Sequence, residues 1–328
     1  MSNQGHGVYP WLDAYWLQLN RYLNCGRLPC ALMLLADEGM GLTEFAQAFA
    51  NRTVCLTPKG NAACGQCSAC LLFNAGNYPD FYQLRPEEGK TSIRIDAIRE
   101  LSVSLSLSAQ YTKPRVVIID PADAMLHQAS NSLLKTLEEP SENTCLILIA
   151  HQLSKVPLTI RSRCQLLSLK DIDLTKARDW LEKLGCQQAE QYLRLANNAP
   201  LLAKSLWEKE ALEQREALFK HLLKLMTGRL DPLVFAEAYL KCSGLPILSW
   251  LMSWFTDALK CAHGSDQQNL INPNLETDLK VLAQRLNLKQ IHQLLDRLIQ
   301  LSKLESTQVN QQLMLEEFAM DCYSFSVK

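Results

Sequence analysis

The stretch "LLADEGMGLTEFAQAF", from Leu34 to Phe49, decides the fold. An apolar run that begins at Ala31 enters a glycine-containing turn and leaves it as a helix-like pattern. Strand, glycine loop and helix in that order are the setting of a phosphate-binding loop, G-x-x-x-x-G-K-[ST]. On that frame Ala36 takes the first glycine, Gly41 the second, Leu42 the lysine and Thr43 the hydroxyl. The lysine that supplies positive charge to the phosphates is missing. Taken alone, the stretch also reads as an ordinary strand–turn–helix connection.

Further along, "RVVIIDPADAM" (115–125) is a buried-type strand ending in Asp120. An acid at such a strand end is where NTPases hold Mg²⁺, with a following group to orient the attacking water. Here Pro121 follows and offers neither acid nor base. The bland reading is a strand end with an Asp-Pro turn. The order of the two segments, loop first and acidic strand second, nevertheless fits an ATPase, and each lacks a group the chemistry needs. Together they point to an ATPase fold that does not turn over ATP. In "VPLTIRSRCQLL" (156–167), Arg161 and Arg163 flank a serine just before an apolar run. This is either a solvated loop or an arginine finger, a permanently charged fork that stabilises a phosphoryl group held by another subunit.

Around these segments the first half alternates apolar runs (30–35, 81–84, 116–120, 145–150, 166–169) with helical patterns such as 94–107 and 128–139, the latter stopped by Pro140. Such alternation predicts a parallel sheet with helices on both faces. After about residue 170 the strand-like runs cease. Residues 171–208 read as short helices, with Asp173 as an N-cap and Gly185 as a stop. From about 209 onward the pattern is amphipathic, as in "LKQIHQLLDRLIQLSKLE". Residues 264–273 read as an exposed loop, and Trp250 and Trp254 as packing residues.

The 328 residues carry 33 basic and 34 acidic side chains, a formal net charge of −1, and a hydrophobic share of 48%. A near-neutral chain without a basic run gives little support for non-specific nucleic-acid binding as a main activity. There is no apolar segment of about 18 residues to span a membrane and no signal-peptide pattern, so the expected compartment is the cytoplasm. Twelve cysteines are many for a reducing compartment. Four of them, Cys55, Cys64, Cys67 and Cys70, follow C-x8-C-x2-C-x2-C, and such a cluster suggests metal before disulfide. Four thiolates with no open position make a structural Zn²⁺ site. An iron–sulfur cluster is the rival, although the usual fourth Cys-Pro is missing. The remaining cysteines, among them Cys186 and Cys242, are read as small core residues.

"NSLLKTLEEPSENTCLILIA" (131–150) followed by "TIRSRC" (159–164) resembles the clamp-loader branch of the AAA+ ATPases, within it the subunits of the bacterial DNA polymerase III clamp loader. The N-terminal "YPWL" (9–12), the altered loop, the altered acidic strand and the cysteine cluster strengthen the resemblance, which extends along the whole chain. It implies a RecA-like α/β AAA+ domain over 1–168 with a zinc-binding insertion at about 55–70, a helical lid over 169–208 and a helical collar over 209–328. It implies that Arg163, in the Ser162-Arg163-Cys164 motif, is a finger donated to a neighbouring ATPase. It also implies that Gly41, Leu42, Thr43 and Asp120 mark a degenerate nucleotide site where ATP does not bind tightly. The family's sensor positions fall near Ala150 and His151, and near Leu201. The implied partners are motor (gamma/tau) subunits and a delta subunit in a pentameric ring, and through that complex the sliding clamp and primer–template DNA. The residues themselves leave two other readings open: an active AAA+ ATPase with a divergent phosphate loop, and a zinc-stabilised DNA-binding protein.

Overall fold

The computed structural model describes residues 8–241, 245–264, 266–304 and 311–326. Cys242 lies outside them. The chain divides into two compact units, Met1–Ser205 and Leu206–Lys328.

The first unit is built on five strands: β1 (Ala31–Leu35), β2 (Phe81–Leu84), β3 (Arg115–Ile119), β4 (Thr144–Ala150) and β5 (Gln165–Ser168). They form one sheet in the order β2-β3-β4-β1-β5, and every pairing is parallel. β1, β3 and β4 are buried along their whole length. Strands covered on both faces need continuous apolar sequence rather than alternation, which is why "ALMLL", "RVVII" and "TCLILIA" read as unbroken runs.

Helices cover both faces. Successive strand residues point to opposite sides. Met33, Val117, Ile119, Leu146 and Leu148 therefore share a core with helices α4 (Ile95–Ser106) and α5 (His127–Glu138). α4 contributes Ile98, Leu101 and Leu105, and α5 contributes Ala129, Leu133 and Leu137, the spacing of one helical stripe. Against the other face lies α2 (Leu42–Val54), backed by α1 (Asp13–Asn24), with Trp16 edge-on to Phe45 at 5.8 Å between ring centres. α3 (Ser68–Asn74) carries the end of the cysteine cluster, and α6 (Leu158–Arg161) leads into β5. This is the RecA-like AAA+ α/β architecture that the resemblance implies.

Three helices follow: α7 (Leu174–Lys183), α8 (Ala189–Leu195) and α9 (Pro200–Glu208). Asp173 caps the first, its carboxylate accepting from the amides of Thr175 and Lys176.

The second unit is all helical among the described residues: α10 (Ala211–Leu225), α11 (Pro232–Lys241), α12 (Ile247–Ala262), α13 (Glu276–Arg285), α14 (Leu288–Leu304) and α15 (Gln311–Ser326). Trp250 and Trp254 of α12 are buried, as their packing role requires, with Trp254 4.9 Å from Phe219 and the Arg215 guanidinium 5.4 Å above its ring. Among the described residues, no helix is long and apolar enough to cross a membrane.

The segment 264–273 departs from the exposed loop expected of it. Its far end folds inward because a buried acid needs donors: Asp257, fully buried on α12, accepts from the Ile271 amide (2.9 Å), the Asn272 amide (2.7 Å) and the Asn272 side chain (2.7 Å). A polar-looking loop sequence conceals this, since the partner lies 15 residues earlier. Replacing Asp257 with alanine strands these donors. Stability should fall by roughly 3 kcal/mol, with faster amide exchange at 271–272; urea denaturation and hydrogen exchange check this.

Candidate functional site

The loop between β1 and α2 is shaped by two glycines in left-handed conformation, Gly39 (φ 85°) and Gly41 (φ 86°), which only glycine adopts without strain. Both are also closely covered. A Cβ on Gly41 would stand 2.5 Å from the Tyr9 ring, and one on Gly39 would stand 2.8 Å from Leu202 Cβ. Trp11 Nε1 donates to the Met40 carbonyl at 3.0 Å, and the Leu201 amide donates to the Gly39 carbonyl at 2.9 Å. Tyr9 stacks on Trp11 at 4.7 Å, and both meet Trp180 of α7 edge-on. The "YPWL" segment is thus an aromatic cover tied at once to the loop and to the following helices. Leu201, near the second sensor position, supplies a backbone amide and an apolar side chain.

One carboxylate oxygen of Asp120 is engaged by the chain itself. Its Oδ2 accepts from Thr43 Oγ1 at 2.8 Å and from Arg85 Nη2 at 3.2 Å. The loop hydroxyl and the strand-end acid therefore do come together, with a guanidinium on the same oxygen. Arg85 was not singled out in the sequence because it follows β2, far from both motifs, and no local pattern marks it. Gly41, Leu42, Thr43 and Asp120 all line one open cavity of about 620 Å³. Glu38, Glu44 and Asp123 line it too, against the single guanidinium of Arg85. Acidic side chains therefore outnumber basic ones in the lining. His151 sits at the end of β4, its amide donating to Asp123 Oδ1 at 3.0 Å and its Nδ1 lying 2.9 Å from the Ala36 carbonyl. A carbonyl only accepts, so Nδ1 carries the proton.

The four cysteines converge. The Sγ atoms of Cys55, Cys64, Cys67 and Cys70 all lie within 4.8 Å of one another, with 4.0 Å between Cys55 and Cys67 and 3.9 Å between Cys64 and Cys70. Sulfurs 2.3 Å from a tetrahedral Zn²⁺ would stand about 3.8 Å apart, so the donor set fits that ion. An iron–sulfur cluster distributes its cysteines over several irons and spreads them wider. The backbone is already arranged for thiolates. The amide of Cys64 points at Cys55 Sγ (3.2 Å), that of Cys67 at Cys64 Sγ (3.3 Å) and that of Cys70 at Cys67 Sγ (3.5 Å). Thr57 Oγ1 donates to Cys64 Sγ at 3.3 Å and, with nearby amides, draws that thiol down to about 5, while burial pushes Cys55 and Cys70 up. A bound cation offsets the cost of deprotonating the buried pair.

Arg163 lies apart from the cavity. β5 runs parallel to β1 and begins at Gln165, opposite Leu32, so the residues just before it lie at the end of the sheet away from the β1 loop. Four strand residues span about 13 Å, and Arg163 is separated from its own chain's loop by that length of sheet. Its Nη1 donates to the Thr159 carbonyl at 2.9 Å and its Nη2 to Glu138 Oε1 at 2.5 Å, with the side chain partly exposed. Ser162 is exposed, its hydroxyl bonding the Thr159 carbonyl at 3.2 Å. Cys164 packs against the sheet core, where burial raises its thiol to about 11. The motif therefore turns Cys164 inward and Arg163 outward. Glu138 was likewise missed, its link to Arg163 being a contact of the fold.

An AAA+ fold with a lysine-less loop, a strand-end acid held by arginine, a four-cysteine insertion and an outward Ser-Arg-Cys arginine defines a clamp-loader-type subunit. Two family models match: "DNA polymerase III, delta subunit" over residues 12–173, and "DNA polymerase III, delta subunit, C terminal" over residues 209–322. DNA polymerase III subunit delta' of Pseudomonas aeruginosa is 31% identical over 94% of this chain and 95% of its own. That of Escherichia coli is 33% identical over 83% of this chain and 82% of its own. Among solved structures, a DNA polymerase III gamma subunit-related protein from Thermotoga maritima is similar at 17% identity and a TM-score of 0.40, covering 96% of this chain and 99% of that one. The chain belongs to the family of DNA polymerase III delta' subunits.

Two expectations follow. Gly41→Ala should destabilise the chain by about 1–3 kcal/mol, and in a double-mutant cycle with Tyr9→Ala the two losses should fall short of additive, because Tyr9 is the atom group the new methyl meets; thermal denaturation measures both. The purified chain should carry close to one zinc by elemental analysis. Stripping it with a chelator should open residues 55–75 to protease while the sheet survives.

Proposed function

We propose that this subunit of the DNA polymerase III clamp loader acts as a non-hydrolysing stator. It holds its neighbours in place and lends Arg163 to the ATP site of an adjacent motor (gamma/tau) subunit. The observation that carries this reading is the separation of the two ends of the sheet. Arg163 is outward-facing where β5 begins, and the chain's own altered loop is at the far end, beyond the reach of one side chain.

The loop itself supports the silent half of the reading. Leu42 brings no charge to a phosphate, Asp120 is engaged by Arg85 and Thr43, and Pro121 offers nothing to activate water. ATP does not bind tightly to such a site. What persists is the frame, because the domain still packs against its neighbours. The proposed division of labour is 1–168 for the AAA+ domain, 169–208 for a lid and 209–328 for a collar that holds five subunits in a ring, the delta subunit among them. Working in the cytoplasm, the assembled ring uses ATP bound at the motor subunits to open the sliding clamp and place it on primer–template DNA.

A finger arginine is worth a thousandfold or more in turnover at the site it completes. In a complex reconstituted with motor and delta subunits, Arg163→Ala should silence that one site and lower the DNA-stimulated ATPase and clamp loading, while assembly persists. The isolated chain, with or without the substitution, should consume no ATP. Unchanged ATPase in the mutant complex, or turnover by the isolated chain, refutes the proposal.

A further inference from the structure

Among the described residues, Arg52 is a buried charge of the first unit without a carboxylate partner. It lies on α2 one turn before Cys55, which caps that helix, and only 8% of its surface is exposed. Its Nη2 donates to the Gly60 carbonyl at 3.2 Å and to Asn24 Oδ1 at 3.4 Å, and its Nε has no hydrogen-bond partner. No carboxylate forms an ion pair with it among the described residues. A buried guanidinium without an anion is costly. Gly60 belongs to the limb that connects Cys55 to Cys64, and Asn24, at the end of α1, also reaches Asn61 of that limb at 3.5 Å. Burial pulls the guanidinium down, and a negative charge on Cys55, one turn further along the chain, pushes it back up.

Four thiolates around a dication leave a centre with two net negative charges. Such a centre, half buried, needs a cation nearby as much as Arg52 needs an anion. We infer that Arg52 is the counter-charge of the four-cysteine metal site and the clamp that fastens its first limb to α2. It touches no metal; it acts through Cys55 and the Gly60 carbonyl, as a positioning residue. The inference rests on the zinc reading of the cysteines.

The test is zinc affinity of the full chain, read by competition with a chromophoric chelator. The wild type should bind one Zn²⁺. Arg52→Gln should bind about tenfold to a hundredfold more weakly, the usual loss for an outer-layer partner. Arg52→Lys, which keeps the charge and loses the fork, should recover most of that loss, a rescue that a purely packing role would not give. If Arg52→Gln does not fold at stoichiometric zinc, excess free zinc should restore it by mass action. Equal affinity in wild type and Arg52→Gln, a lysine variant no better than glutamine, or a misfolded glutamine variant that excess zinc leaves unfolded each overturns the inference. A wild-type chain that holds no zinc refutes instead the metal reading beneath it.

Discussion

The position of β1 between β4 and β5, hydrogen-bonded to one on each side, is the constraint on which the rest depends. In parallel sheets ligands gather beyond the carboxyl ends of strands where the order changes direction. The loop after β1, Asp120 after β3 and His151 after β4 are therefore brought to one cavity by topology alone. The same pairing obliges the chain to travel back across the sheet before β5 can begin. That return path deposits Ser162, Arg163 and Cys164 at the opposite end. A single parallel register thus gives the domain two separate ends, with the cavity at one and the Ser-Arg-Cys motif at the other.

The altered loop is held by contacts within the chain, beside an open cavity. Where a lysine and a metal would bring positive charge, the fold brings Tyr9, Leu201 and Arg85. Tyr9 rests on Gly41, Leu201 holds the Gly39 carbonyl, and Arg85 shares the Asp120 oxygen with Thr43. Each of these contacts is made by the chain itself. The cysteine insertion follows a different logic. Its amides are aimed at sulfur, and its four sulfurs stand at distances that fit one tetrahedral cation.

Much of this is legible in the sequence, because the decisive signals are local. The five apolar runs fall on the five strands to within a residue, Asp173 caps the helix its position announces, and the cysteine spacing alone brings four sulfurs together. What escapes is long-range. Arg85 and Arg52 carry no motif, Tyr9 and Glu138 lie in recognisable stretches that do not reveal their contacts, and each acquires its meaning from a partner that only the folded chain supplies. Asn272 is the same lesson in reverse: a polar residue in a polar stretch, drawn inside by a buried carboxylate on another helix.

The rings of Tyr9, Trp11 and Trp180 join the loop to α7 by carbon packed on carbon. In a fuel-reading machine, that joint is where bound nucleotide would dictate the angle between the sheet and the helices after it. In this chain the joint is packed from its own aromatic rings. On the non-hydrolysing reading proposed above, such a joint would give moving neighbours one reference direction whatever the cell's ratio of ATP to ADP.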